Sequence, residues 1–157
     1  MSHTTRAEFV FATFDDLPTL RAMMPGVYVY DGEMPDVDRW AAAAAELIQH
    51  PDLGRLWLIY WQGRAVGYLA ATYGFSLEFY GRGITIDELF VADGYRSQGL
   101  GRQAIEFVED FARSQGLHSL TLDVDIANTR GQQFYQARGF HYYPHMHIMN
   151  KQLEENK

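Results

Sequence analysis

"ITIDELFVADGYRSQGLGRQAIEFVEDFA", residues 84–112, decides the fold. Its first nine residues are mostly apolar and read as a central strand. A turn follows, in which Gly94, Arg96, Gly99, Gly101 and Arg102 crowd together without an acid between them. Then Ala104, Ile105, Val108, Phe111 and Ala112 recur at helical spacing. Strand, glycine turn and helix together aim free backbone N–H groups at an anion, because the first turn of a helix has no internal partners for them.

Three anion sites compete for this turn. In a P-loop, Lys and Ser or Thr would follow Gly99, but Leu100 and Gly101 stand there. Gly99-Leu100-Gly101-Arg102-Gln103-Ala104 does fit the dinucleotide pattern G-x-G-x-x-A, with Asp123 at a suitable distance. That pattern, however, puts its first glycine almost at the strand end, and here residues 92–98 intervene. Asp87 and Glu88 are also foreign to a strand buried on both faces. The third site is Arg96-x-x-Gly99-x-Gly101, a turn suited to a pyrophosphate.

Around the turn, residues 7–13 read as a first strand, and 15–24 as a helix stopped by Pro25-Gly26. Residues 27–36 read as a loop rich in aromatics and acids. A second helix is expected from Asp36 to Gln49, ended by His50-Pro51. Residues 56–73 form two strands about a turn at Gln62-Gly63, and 75–83 continue or close that hairpin. Residues 117–125 alternate as a half-buried strand. Residues 128–140 are a helix with Asn128 as N-cap and Gly139 as its stop. Residues 141–151 read as a last strand or strand pair. The sum is one α/β (α+β) domain over 1–157, with a mixed, mostly antiparallel sheet.

Composition narrows the chemistry. The chain has 157 residues, 13 basic and 20 acidic, for a formal net charge of -7. That balance argues against nucleic acid as a partner and suits a cationic substrate. There is no cysteine, hence no disulfide framework, thiolate zinc site or thioester on the protein. No apolar run reaches the ~20 residues that span a bilayer, and no signal pattern opens the chain, so no membrane partner and a cytoplasmic setting are expected. His145 and His147 share a strand face, but no third ligand lies near them in sequence and no metal is expected; His141 is treated likewise. No G-x-S-x-G supports a serine nucleophile.

"IDELFVADGYRSQGLGRQAIEFVEDFA" and "NTRGQQFYQARGF" resemble, in order, the two signature motifs of the GNAT superfamily of acetyl-coenzyme A-dependent N-acetyltransferases. They cover roughly residues 84–140. Ser97 and Gly131 depart from that pattern, which more often has glycine and alanine there. The resemblance implies the acyl-CoA N-acyltransferase fold, with about four helices flanking the sheet, and acetyl-CoA as co-substrate. Its cofactor-binding positions correspond to Phe90, Val91, Arg96, Ser97, Gln98, Gly99, Leu100, Gly101, Arg102, Asn128, Phe134 and Tyr135. It also implies a bulge in the strand at 84–92, with the acyl arm pairing near Phe90 and Val91.

Acetyl transfer to an amine needs a proton acceptor for the amine, donors for the oxyanion, and a proton for the leaving thiolate. By resemblance, Tyr135 supplies that last proton, and a phenol of ordinary pKa about 10 is matched to a thiolate. From the helix alone, Phe134 and Tyr135 read first as packing aromatics. Asp87 and Glu88 both stand open as the base, since a bulge removes the simple alternation of faces. A backbone N–H near Phe90 or Val91 would meet the oxyanion. Asp31, Glu33, Asp36 and Asp38, with Tyr73, Phe75, Phe79 and Tyr80 around Glu78, suit an ammonium or polyamine; the plainer reading is a solvated loop with apolar rims. The expected acceptor is therefore a small primary amine of polyamine, amino acid or aminoglycoside type. Acetylation of a protein lysine or N-terminus, or a non-catalytic acyl-CoA sensor, are the alternatives. By analogy with related enzymes, a homodimer through the late strands is also expected.

Overall fold

In the computed structural model, residues 5–29 and 33–153 are described. The chain forms two compact units, one ending at Asp123 and one starting at Val124.

The first unit is built on a five-stranded sheet in the order β1 (Glu8–Phe11), β2 (Gly54–Trp61), β3 (Arg64–Ser76), β4 (Gly81–Val91), β5 (Ser119–Leu122). The first three pairings are antiparallel and β4 with β5 is parallel, as a mixed, mostly antiparallel sheet requires. β2 and β3 join through Gln62 and Gly63, whose φ values of 49° and 77° make the tight turn that the right-handed strand twist favours.

The helices are α1 (Leu17–Met23), α2 (Pro25–Tyr28), α3 (Val37–Gln49) and α4 (Leu100–Ser114), with α5 (Thr129–Gln136) in the second unit. α1 ends at Met23, just before Pro25-Gly26 as expected, but Pro25 then opens the single turn α2 where a loop was expected, since a proline at the first helical position loses no internal hydrogen bond. Gly26 serves close packing, for a Cβ there would lie 2.3 Å from the Phe90 ring. One sheet face carries Leu56, Leu58, Tyr68 and Ala70 against Leu20, Met24 and Ala44 of α1 to α3. The other carries Ile59 and Val66 against Leu100 and Ala104 of α4. Trp57, 1% exposed, meets Phe107 and Phe111 edge-on, and Phe9 stacks on Phe107.

Two expectations need correction. The strand at 117–125 shrinks to 119–122, and residues 141–153 contain no strand. In 141–151, Pro144 lacks a donor for a ladder, and every residue is exposed, so no buried face fixes a register.

Candidate active site

β4 carries the geometry that matters. Ala70 pairs with Glu88 and Ala71 with Ile86, so Asp87 is the extra residue of a β-bulge. The parallel ladder with β5 ends at the same place, at Ile86 and Leu122. From Glu88 onward β4 keeps its β3 partners but has none in β5, so among the described residues Phe90 and Val91 are without a strand partner on that side of the sheet. Thr85 and Thr121 share a hydroxyl hydrogen bond of 2.7 Å on the rung just before the parting.

The bulge gives the two acids different surroundings. Glu88 is buried at 8% exposure on the face of α1 to α3. Its Oε2 accepts from the Tyr68 hydroxyl at 2.9 Å, the Trp40 indole N–H bridges both oxygens at 3.1 and 3.2 Å, and the Tyr28 hydroxyl donates to Oε1. Burial first, and the Glu88 charge second, push the Tyr68 phenol far above its ordinary pKa, so it stays a donor. Asp87 has no hydrogen-bond or salt-bridge partner among the described residues and keeps solvent exposure at its surface. Partial burial of its carboxyl, and then the charge of Asp123, raise its pKa above the ordinary carboxylate range.

The glycine turn is equally specific. Gly99 caps α4 in the left-handed region at φ 80°, and Ser97 is also left-handed at φ 62°. A Cβ on Gly99 would meet nothing within 4 Å, so its φ, and not crowding, calls for glycine. The Leu100 side chain is core, leaving only its backbone to face a ligand. Arg96 folds back on its own turn, donating from Nε to the Val91 carbonyl at 2.9 Å and pairing with Asp93 at 3.2 Å. Gln98 reaches the Gly94 carbonyl at 3.4 Å. Arg102 is exposed, with Glu106 at 3.9 Å, and Gly101 lies in the first turn of α4.

In the second unit, Asn128 caps α5 as expected, its side chain accepting from the Gly131 N–H at 2.8 Å. The same contact accounts for Gly131: a Cβ there would lie 2.4 Å from the Asn128 side-chain nitrogen. Tyr135 packs edge-on against Phe134 and Phe140, at 5.1 and 5.6 Å between ring centroids. Burial raises its pKa, and the nearby Arg138 charge offsets part of that rise. Arg138 lies over the Phe134 ring at 3.6 Å and donates to the Phe134 carbonyl at 2.7 Å. Gly139, at φ 89°, follows the end of the helix.

Of the acid and aromatic groups expected to hold an ammonium, Asp36, Asp38 and Tyr73 are engaged elsewhere. Asp36 caps α3 by accepting from the N–H groups of Asp38 and Arg39, and Asp38 pairs with Arg21. Arg55 and Arg82 stand over the Tyr73 ring at 5.6 and 5.0 Å. Glu33, Phe75, Glu78 and Tyr80 are exposed, Phe79 is half-buried, and Asp31 lies outside the described residues. Sequence reasoning missed Tyr28, Trp40 and Tyr68. They come from α2, α3 and β3, and no spacing in the chain signals that they converge on one carboxylate.

A bulged strand that parts from its neighbour, followed by a glycine turn into a helix, defines an acyl-CoA N-acyltransferase fold. The chain belongs to the acetyltransferase (GNAT) family, whose sequence profile matches residues 17–140. It is 34% identical over 76 residues to streptothricin acetyltransferase of Streptomyces lavendulae, covering 48% of this chain and 40% of that protein. It is 33% identical over 79 residues to an L-methionine sulfoximine/L-methionine sulfone acetyltransferase of Pseudomonas paraeruginosa, covering 50% of this chain and 45% of the relative. The matched stretch thus spans less than half the length of these relatives. Among solved structures, an integron cassette protein from a salt-marsh metagenome superposes with a TM-score of 0.79 at 29% identity, over 94% of this chain and 91% of the other. An aminoglycoside N-acetyltransferase in complex with CoA superposes with a TM-score of 0.76 at 19% identity, over 96% and 98% of the two chains, a likeness of fold.

Proposed function

We propose that the chain is a single N-acetyltransferase domain that moves acetyl from acetyl-CoA to a primary amine of a small molecule, by direct attack in a ternary complex. The observation that carries this reading is the bulge at Asp87, where β4 leaves β5 beside the glycine turn. The parted strand offers backbone groups near Phe90 and Val91 to the acyl arm and the oxyanion. The turn from Ser97 to Gly101 offers backbone N–H groups to a pyrophosphate. Arg102 adds charge from the first turn of α4, and Arg96 holds the turn in shape. By the motif resemblance, Asn128 and Phe134 are assigned to cofactor binding as well.

In this reading Asp87 takes the proton of the attacking ammonium, directly or through water. Its raised pKa brings a carboxylate closer to the basicity a general base needs, and its oxygens are free. The amine nitrogen then bonds to the thioester carbonyl carbon, and a backbone N–H near Phe90 or Val91 steadies the oxyanion. As the C–S bond breaks, the nitrogen gives up its second proton to solvent, Tyr135 gives its proton to the sulfur and is reprotonated from solvent, and Asp87 sheds the proton it took, for a net release of one proton. The products are an acetamide and free CoA thiol. Glu88, its lone pairs already engaged by three donors, is the lesser base and contributes fixed negative charge.

The named relatives acetylate streptothricin and methionine sulfoximine or sulfone, and the solved neighbour is an aminoglycoside enzyme. These names and the acidic charge balance support a cationic small-molecule acceptor over a protein lysine or N-terminus. The test is thiol release from acetyl-CoA across polyamines, amino acids, aminoglycosides, streptothricin and lysine peptides. Amine-dependent release from a small-molecule acceptor is expected. Tight acetyl-CoA binding with no release for any amine would favour the sensor reading instead.

A further inference from the structure

Glu88 is unusual in what it lacks. It is a buried carboxylate held by three neutral donors, with no Lys, Arg or His at salt-bridge distance among the described residues. A buried charge ordinarily carries a counter-ion or is neutralised. Here three neutral donors engage its oxygens, and none of them carries a charge. Two of the donors, Tyr28 and Trp40, are only half-buried and present aromatic surface beside it. Tyr68 is fully buried, and Trp40 meets its ring edge-on at 5.9 Å. The site lies one residue from Asp87, on the sheet face that carries α1 to α3.

We propose that Tyr28, Trp40 and Tyr68 are positioning residues that hold the Glu88 carboxylate in a fixed orientation, and that an ammonium of the acceptor supplies its missing counter-charge. Trp40 and Tyr68 fix the two oxygens from α3 and β3. The Tyr28 and Trp40 rings add cation–π attraction at the half-buried edge. The division of labour is that Asp87 accepts the proton, while the Glu88 set selects cations over neutral molecules of the same shape. This rests on the amine-acceptor reading above and adds the residues that would read the charge.

The test separates the two. The indole N–H resonance of Trp40, assigned by its loss in Trp40→Phe, is followed in the acetyl-CoA-free protein. The diamine putrescine and the diol of the same chain length are titrated in turn. The diamine is expected to shift the resonance saturably and the diol to leave it in place. Glu88→Gln should abolish the response, and Tyr68→Phe, shown by its melting curve to be folded, should weaken diamine binding about tenfold. A resonance that ignores the diamine, or moves equally with the diol, overturns the inference. So does an unchanged diamine affinity in both Glu88→Gln and folded Tyr68→Phe. Because no acetyl transfer is involved, a protein that binds the diamine at Glu88 yet releases no thiol with any amine would contradict the catalytic reading alone.

Discussion

The two adjacent acids of β4 show how much one inserted residue can do. The bulge leaves Asp87 exposed and unpartnered, while Glu88 sinks under Tyr28, Trp40 and Tyr68. If Asp87 is the base, the rate climbs with pH through its raised pKa and levels off above it, and Asp87→Asn lowers kcat by about 10²–10⁴-fold and removes that limb. The same shift has a stability sign. The folded pKa lies above the unfolded value, so between the two the native state binds more protons. Stability therefore falls as pH rises through that window and returns as pH falls. Denaturant midpoints should show this slope in the wild type and a flatter one in Asp87→Asn. If Tyr135 is the acid that protonates the leaving thiolate, Tyr135→Phe lowers kcat about 10²-fold or more, with acetyl-CoA affinity measured by calorimetry little changed.

At the scale of elements, two glycines near the binding motifs make opposite predictions. Gly99 is left-handed, and Gly99→Ala should cost about 1–2 kcal/mol in a denaturation curve and weaken acetyl-CoA binding as well. Gly131 is helical, so alanine gains about 1 kcal/mol of propensity. It also crowds Asn128 off the helix end, and losing a cap costs about as much. Gly131→Ala should be close to neutral in stability. The elements around both were legible in the sequence, because local chemistry sets them: the apolar stripe of α4, the Gln62-Gly63 turn, the Asn128 cap. The turn α2 was missed because a proline that ends one helix can equally begin the next. The end of the chain was misread because alternation at 141–151 does not make a strand without a buried face.

At the scale of the whole molecule, what the sequence withheld is convergence. Glu88 could be singled out as a carboxylate, but its three donors lie 60, 48 and 20 residues away along the chain. Two of the acids expected to bind a cation are separately engaged, Asp36 as a cap and Asp38 with Arg21. Asp87 and Glu88 lie where β4 passes the end of its ladder with β5, with Asp123 just beyond the last rung on β5. The central claim is that acetyl passes directly from thioester to amine. It is tested most directly by initial rates of thiol release with acetyl-CoA and amine varied together, in a protein whose lack of cysteine adds no thiol background. Direct attack in a ternary complex predicts reciprocal plots that intersect. Parallel lines, the mark of an acetylated enzyme, or no amine-dependent release at all, would contradict it.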